Sequence, residues 1–327
     1  MIKLMKTIPN GINWVQSNKT DISLSALCVT LTGRIIAGGR GQNIGIWYSD
    51  DNGVNWIRSN KTYGTWKTLC VISTGRIIAG GQNSGIWYSD DSGVNWVQSN
   101  RLGGEWNALC VTPIGRIIAG SSDDGIWYSD DNGEHWTQSS MTNSQWYSLC
   151  ITSAGRIVAG SYGNDGIWYS DDNGVNWTQS NKTNGIFSGL CVTSTGRIVA
   201  GSNNNKGIWY SDDNGINWTQ SNKTDGNLLA LCVTSIGRII AGSKSGIWYS
   251  NDNGVNWAQS NKTSEYWYSL CITSAGRIVA GNGDDNGIWY SDPVVQLACV
   301  REKYLDQKGA QEIVTQFKAY CDAKVGA

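Results

Sequence analysis

The chain repeats itself. A unit reading Gly-Arg-Ile-Ile/Val-Ala-Gly, then a short variable loop, then Gly-Ile-Trp-Tyr-Ser, recurs along nearly all of its 327 residues. The tryptophan of the Ile-Trp-Tyr step falls at Trp47, Trp87, Trp127, Trp168, Trp209, Trp248 and Trp289, so seven copies follow one another every 39 to 41 residues. A unit of that size with no helical pattern cannot bury its apolar face alone and must stack on its neighbours. The period therefore predicts an all-β fold, a seven-bladed β-propeller of four-stranded blades. It holds over residues 10–292, the expected propeller domain, and is lost over 293–327, expected to be a C-terminal tail.

Within the second copy, residues 67–73, 76–80, 86–89 and 95–99 read as four short strands separated by Gly-containing turns. Seven of the nine cysteines, Cys28, Cys70, Cys110, Cys150, Cys191, Cys232 and Cys271, occur once per copy at the centre of the first strand. Equivalent positions in neighbouring blades lie further apart than the ~4.4–6.8 Å between the Cα atoms of a disulfide. Buried free thiols are expected there, with no metal, redox or cofactor chemistry.

Between the third and fourth strands the copies read Ser-x-Asp-x-Gly-x-x-Trp, beginning at Ser49, Ser89, Ser129, Ser170, Ser211 and Ser250. The carboxylates of Asp51, Asp91, Asp131, Asp172, Asp213 and Asp252 are placed to accept N–H groups of their own turns. The Asn-Gly or Ser-Gly step supplies positive φ, and the Trp offers a large apolar face to the blade beneath. This motif resembles the Asp-box, the hairpin found in sialidases and other β-propellers. Six boxes so alike imply a structural role for these aspartates, since none is set apart as a catalytic acid or calcium ligand.

The seventh copy stops at Pro293, and the missing half, 10–17, stands at the N-terminus. Residues 11–17 are therefore expected to be the outer strand of the last blade, paired with 287–291, which removes an open sheet edge. In the strand order of an antiparallel blade, the first–second and third–fourth turns share one face of the disc. That face is nearly invariant in sequence, and the arginines that open each second strand, Arg34 to Arg277, are read as donors to neighbouring turns. The other two connections differ in every copy, as expected of a reading surface carried on a scaffold.

Four residues before each repeated cysteine stands Leu24, Trp66, Trp106, Trp146, Phe187, Leu228 or Trp267, followed by Ser25, Lys67, Asn107, Tyr147, Ser188, Leu229 or Tyr268. Aromatic side chains at the mouth of the ring suit stacking on sugar rings, with Trp66, Trp106, Trp146, Tyr147, Phe187, Trp267 and Tyr268 as candidate ligand contacts. The competing reading packs the same apolar residues between blades. The Asn-Lys-Thr steps match a glycosylation acceptor pattern but are read as turns, because no secretory signal precedes them. Asp123-Asp124 and Asp284-Asp285 are read as solvated loop acids.

A net charge of −1 without a basic run excludes a nucleic-acid patch, and no apolar stretch is long enough to span a bilayer. The resemblance to sialidases implies clustered arginines and a Tyr/Glu pair for catalysis. The variable face offers Arg40, Arg101, Glu105 and Glu265 on scattered blades, so a binding protein with no enzymatic activity is expected. In the tail, Ala310, Ile313, Val314, Phe317 and Cys321 fall on one helical stripe. The string Tyr-Leu-Asp-x-x-Gly…Phe-Lys-x-Tyr-x-Asp from Tyr304 resembles a segment of structural proteins of bacteriophages and prophages. That resemblance implies a virion protein, made in the host cytoplasm and held in the particle through its tail, with the propeller binding host-surface carbohydrate. The alternatives are a scaffold in the bacterial cytoplasm that binds another protein, and a sialidase-like glycosidase.

Overall fold

The computed structural model describes residues 2–8, 11–284, 286–291 and 294–300, the segments 2–8 and 294–300 by their backbone pairing only. Two compact units result: Pro9–Asp292, and Met1–Ile8 with Pro293–Ala327. The first is a ring of seven four-stranded antiparallel sheets, and no helix occurs among the described residues. Of the second, the strands Ile2–Ile8 and Val294–Val300 form an antiparallel pair with Leu4 opposite Ala298. The tail helix expected around 309–322 lies outside the described residues.

Blade 2 shows how the repeat builds a sheet. Its strands are Thr65–Val71, Ile77–Gln82, Ile86–Ser89 and Val97–Gln98, in that spatial order from the channel outward. The second strand is buried on both faces, so it reads as an unbroken apolar run. One face of blade 2 presents Cys70, Ile78, Ile86 and Tyr88 to Trp106, Ile117, Ala119 and Trp136 of blade 3. Every blade-to-blade interface repeats this set, and each small residue in the second strand marks a close approach. A Cβ added at Gly80 would lie 2.7 Å from the Cβ of Trp106.

The Ser-x-Asp turns are closed hydrogen-bond circuits. In blade 2 the Ser89 hydroxyl donates to Asp91 Oδ1 at 2.9 Å and accepts from the Gly93 amide at 2.9 Å. Asp91 Oδ1 also accepts from the Asn95 amide at 2.8 Å, and Oδ2 from the Asn95 side chain at 2.6 Å. Ser92 and Gly93 take φ of 60° and 87°, the left-handed pair that a tight hairpin turn requires. In blade 3, His135 stands in the Asn position and its Nδ1 lies 2.7 Å from Asp131 Oδ2. Arginine ties the turns of blades 1 to 5 to the next blade: Arg76 forks onto Asp90 at 2.6 and 2.9 Å and donates to the Asn132 carbonyl at 3.2 Å.

The last blade is assembled from both ends of the chain. Val15 and Gln16 pair with Tyr290 and Trp289 of the strand Ile288–Ser291. The Gly11 amide donates to the Ser291 hydroxyl at 2.9 Å, the bond that Gly53 makes to Ser49 within blade 1. Trp14 then fills the place of the turn tryptophan against Trp267.

Candidate functional site

The innermost strand of every blade carries a β-bulge at one equivalent position. In blade 3, Trp106 pairs with Ser121 and Ala108 with Gly120, which leaves Asn107 as the extra residue. The same shift occurs between Leu24 and Ala26, Trp66 and Thr68, Trp146 and Ser148, Phe187 and Gly189, Leu228 and Ala230, and Trp267 and Ser269. A bulge turns one side chain out of the pleat and re-aims it. Here the seven re-aimed side chains are Ser25, Lys67, Asn107, Tyr147, Ser188, Leu229 and Tyr268. All seven line one cavity of about 580 Å³ at the mouth of the central channel. Arg40, Tyr162, Asn203 and Lys244, from the variable loops between second and third strands, complete its wall together with Thr65, Gln82 and Glu105. Below it the channel narrows to about 180 Å³ and is ringed by one leucine per blade, from Leu27 to Leu270.

The bulge also corrects the expected set of ligand contacts. Trp66, Trp106, Trp146, Phe187 and Trp267 are completely buried, and none of them lines the mouth. The inserted residue shifts the strand's parity, so Trp106 packs with Leu109 against blade 2 while Cys110 packs against blade 4. Trp106 meets Trp127 edge-on at 6.5 Å and Trp136 at 6.4 Å, and its Nε1 donates to the Gly103 carbonyl at 2.7 Å. Tyr147 and Tyr268, the two candidates at bulge positions, do line the mouth. Lys67, Asn107, Tyr162 and Asn203 were not singled out as contacts from sequence. For Lys67 and Asn107 the signal was the spread of chemistry one position after the buried apolar residues, from Ser to Lys to Tyr; for Tyr162 and Asn203 it was the variability of their loops.

The mouth has a polar side and an aromatic side. Glu105 accepts from Gln82 Nε2 at 2.7 Å and from the Ser122 hydroxyl at 2.8 Å, and lies 3.4 Å from Lys67 Nζ. Burial opposes its charge, but Ser122, Lys67 and Gln82 together hold the carboxyl below its usual range, so it is ionised at neutral pH. Tyr147 stacks on Tyr162 with ring centres 4.4 Å apart. Burial first, then the nearby Glu105 charge, push the Tyr147 hydroxyl up, so it remains a neutral phenol able to donate or accept. Across the mouth the Arg40 guanidinium lies 4.1 Å from the Tyr268 ring centre. That stack depends on Gly283, where a Cβ would fall 2.2 Å from two Tyr268 ring carbons. Three buried atoms that line the mouth, Asn107 Oδ1, Ser188 Oγ and Asn203 Oδ1, have no hydrogen-bond partner among the described residues. Unmet polar atoms cost stability where they stand, and a ligand hydroxyl or amide satisfies them. The wall thus brings flat aromatic faces, an ionised acceptor, cationic donors and amide side chains around one opening.

No group of three His, Cys, Asp or Glu side chains able to hold a metal occurs among the described residues. The repeated thiols are inert: burial pushes Cys70, Cys150 and Cys232 up to about 12.

Comparison with solved structures shows the fold. A catalytically inactive virginiamycin B lyase from Staphylococcus aureus with quinupristin superposes with a TM-score of 0.71 at 11% identity, covering 86% of this chain and 99% of that one. A streptogramin B lyase gives 0.70 at 14% identity, covering 86% and 97%. A YCF48 described as bound to the D1 peptide gives 0.68 at 17% identity, covering 88% and 98%. No protein-family model matches the chain, and no curated protein matches it in sequence. The lyases overturn one expectation. Absence of enzymatic activity was expected because Arg40, Arg101, Glu105 and Glu265 stand on scattered blades, yet this architecture is one that enzymes use, so that scatter is no ground for excluding catalysis.

Proposed function

We propose that the propeller is a carbohydrate-binding protein that takes its ligand at the channel mouth. One observation carries the reading: seven bulged side chains of unlike chemistry converge on a single cavity with paired tyrosines and three unmet polar atoms. Sugar rings present an apolar face and a rim of hydroxyls, and this wall presents the complements of both. The Ser-x-Asp turns, read as Asp-boxes, supply the rigid opposite face. The proposal extends to a phage particle as carrier and a host-surface glycan as ligand. That part rests on the sequence resemblance of the segment from Tyr304, which lies outside the described residues.

A glycan array tests the binding. Saturable binding to a defined saccharide, lost in Asn107→Ala and Tyr147→Leu at unchanged melting temperature, is the expected result. Binding to no saccharide, or unchanged binding by both variants, overturns it. Mass spectrometry of the bound sugar after hours of incubation separates retention of the ligand from its turnover. One observation favours a second reading, a polypeptide ligand: a propeller of similar structure is described as bound to a peptide. A stable complex with a protein that competes at the mouth, with no saccharide bound, would establish it.

A further inference from the structure

The mouth does not end at the channel. A second cavity of about 560 Å³ runs between blades 1 and 2 on the same face, and Thr65 and Gln82 line both it and the mouth. The two spaces are thus neighbours that share a wall, one at the centre and one toward the rim. In the outer one stands Lys61, with an exposure of 4%, its Nζ 3.1 Å from the Trp87 ring centre and 4.1 Å from that of Tyr63. Asn43, Asn83 and Gln98 line the same stretch.

Lys61 occupies a repeated position, and the repeats give it a built-in comparison. Its equivalents Lys19, Arg101, Lys223 and Lys262 each lie over or beside the next blade's Trp and each has a carboxylate partner: Asp21, Asp124, Asp225 and Glu265. In one copy the position is Met141. Lys61 and Lys182 have no carboxylate within ion-pair distance among the described residues, and each lines a cavity. At the blade 4–5 interface that cavity measures about 340 Å³, and Lys182 Nζ donates to Asn184 Oδ1 at 2.9 Å. A buried ammonium without a carboxylate beside it is costly, and burial lowers the proton affinity of Lys61 although its contact with the Tyr63 hydroxyl works the other way. An incoming anion removes that cost.

We infer that the ligand is an acidic oligosaccharide lying radially, one sugar at the mouth and an anionic group on Lys61 at the rim. This rests on the carbohydrate reading above and adds the length and charge of the ligand. Carboxylate and sulfate share the required chemistry, and the probes separate them. Binding of tetragalacturonate, a sulfated galactotetraose and neutral galactotetraose is measured by calorimetry on the full chain, beside the corresponding monosaccharides.

At least one acidic tetramer is expected to bind about tenfold or more tighter than the neutral tetramer, as a charge-assisted contact implies. Lys61→Met should bring it down to the neutral level, Lys61→Arg should keep the preference, and Asn107→Ala should weaken acidic and neutral tetramers alike. The Met variant is expected to fold, because Met141 holds the same place in blade 3. Equal affinity for acidic and neutral tetramers, or an acid preference that survives Lys61→Met, overturns this inference and leaves the mouth site standing. No binding of any saccharide overturns both.

Discussion

The two faces of the ring use the same residue types to opposite ends. On the turn face Ser, Asp, Asn and Arg close upon one another: Ser89, Asp91 and Asn95 satisfy each other, and Arg76 saturates Asp90. At the mouth Asn107, Ser188 and Asn203 keep polar atoms without partners. The turn face is not flawless, since Thr152 Oγ1 is unmet there. The contrast is nonetheless consistent across the ring: a network complete in itself stabilises the fold, and on the proposed reading the incomplete one is left for a ligand. Residues at such sites are commonly less than optimal for stability.

Perturbations should sort by face. The largest effect is expected from deleting residues 1–17, which removes the outer strand of the last blade and the Trp14 seal. Size-exclusion chromatography should show aggregate or unfolded chain, and a monomer with unchanged melting would refute the role of the seam. Next, Trp106→Ala should cost about 3–5 kcal/mol in denaturant titration, as truncation of a fully buried aromatic does. A loss below about 1 kcal/mol, accompanied by lost ligand binding, would return Trp106 to the site.

Asp91→Ala should cost about 1–2 kcal/mol by opening one turn. Acid should do the same to all such turns together. Burial opposes the charge of Asp51, Asp91, Asp172, Asp213 and Asp252, but the Asn amides and Ser hydroxyls of their turns lower each carboxyl below its ordinary value. A lowered folded value means stability that is full above the unfolded value, about 3.9, and lost as pH falls through the folded ones. Melting temperature should hold from neutrality to about pH 4 and then drop steeply. The smallest effect is expected from Asn107→Ala, within about 0.5 kcal/mol of the parent, because one unmet atom leaves with the side chain. A loss comparable to that of Asp91→Ala would erase the distinction between the faces.

The ring and its seven blades are legible in the sequence because the period survives in every copy. The turn circuits are legible for the same reason, each residue type matching the bond it makes. The mouth was only half legible, and the cause is local. Counting by twos from Cys28 places Leu24 on the same strand face, and the bulge at Ser25 breaks that count. Nothing in Ser25, Lys67, Asn107, Tyr147, Ser188, Leu229 or Tyr268 announces a bulge, since the seven share no residue type. Their backbone is shaped by the packing of the buried residue before them, which only three dimensions display. The separation between Lys61 and its acid-paired equivalents was partly legible, since Asp21, Asp225 and Glu265 follow their cations by two or three residues, whereas Asp124 reaches Arg101 from a loop 23 residues away.

The closing strand has a consequence beyond the single ring. Its sequence, Asn-Trp-Val-Gln-Ser from Asn13 to Ser17, occurs again in blade 2 from Asn95 to Ser99. A chain that has lost its own N-terminal segment, or not yet docked it, therefore presents an acceptor that any second molecule can fill with an identical piece. Exchange between two molecules and closure within one make the same bonds, so solitary rings prevail until the concentration of chains exceeds the effective concentration of the tethered strand.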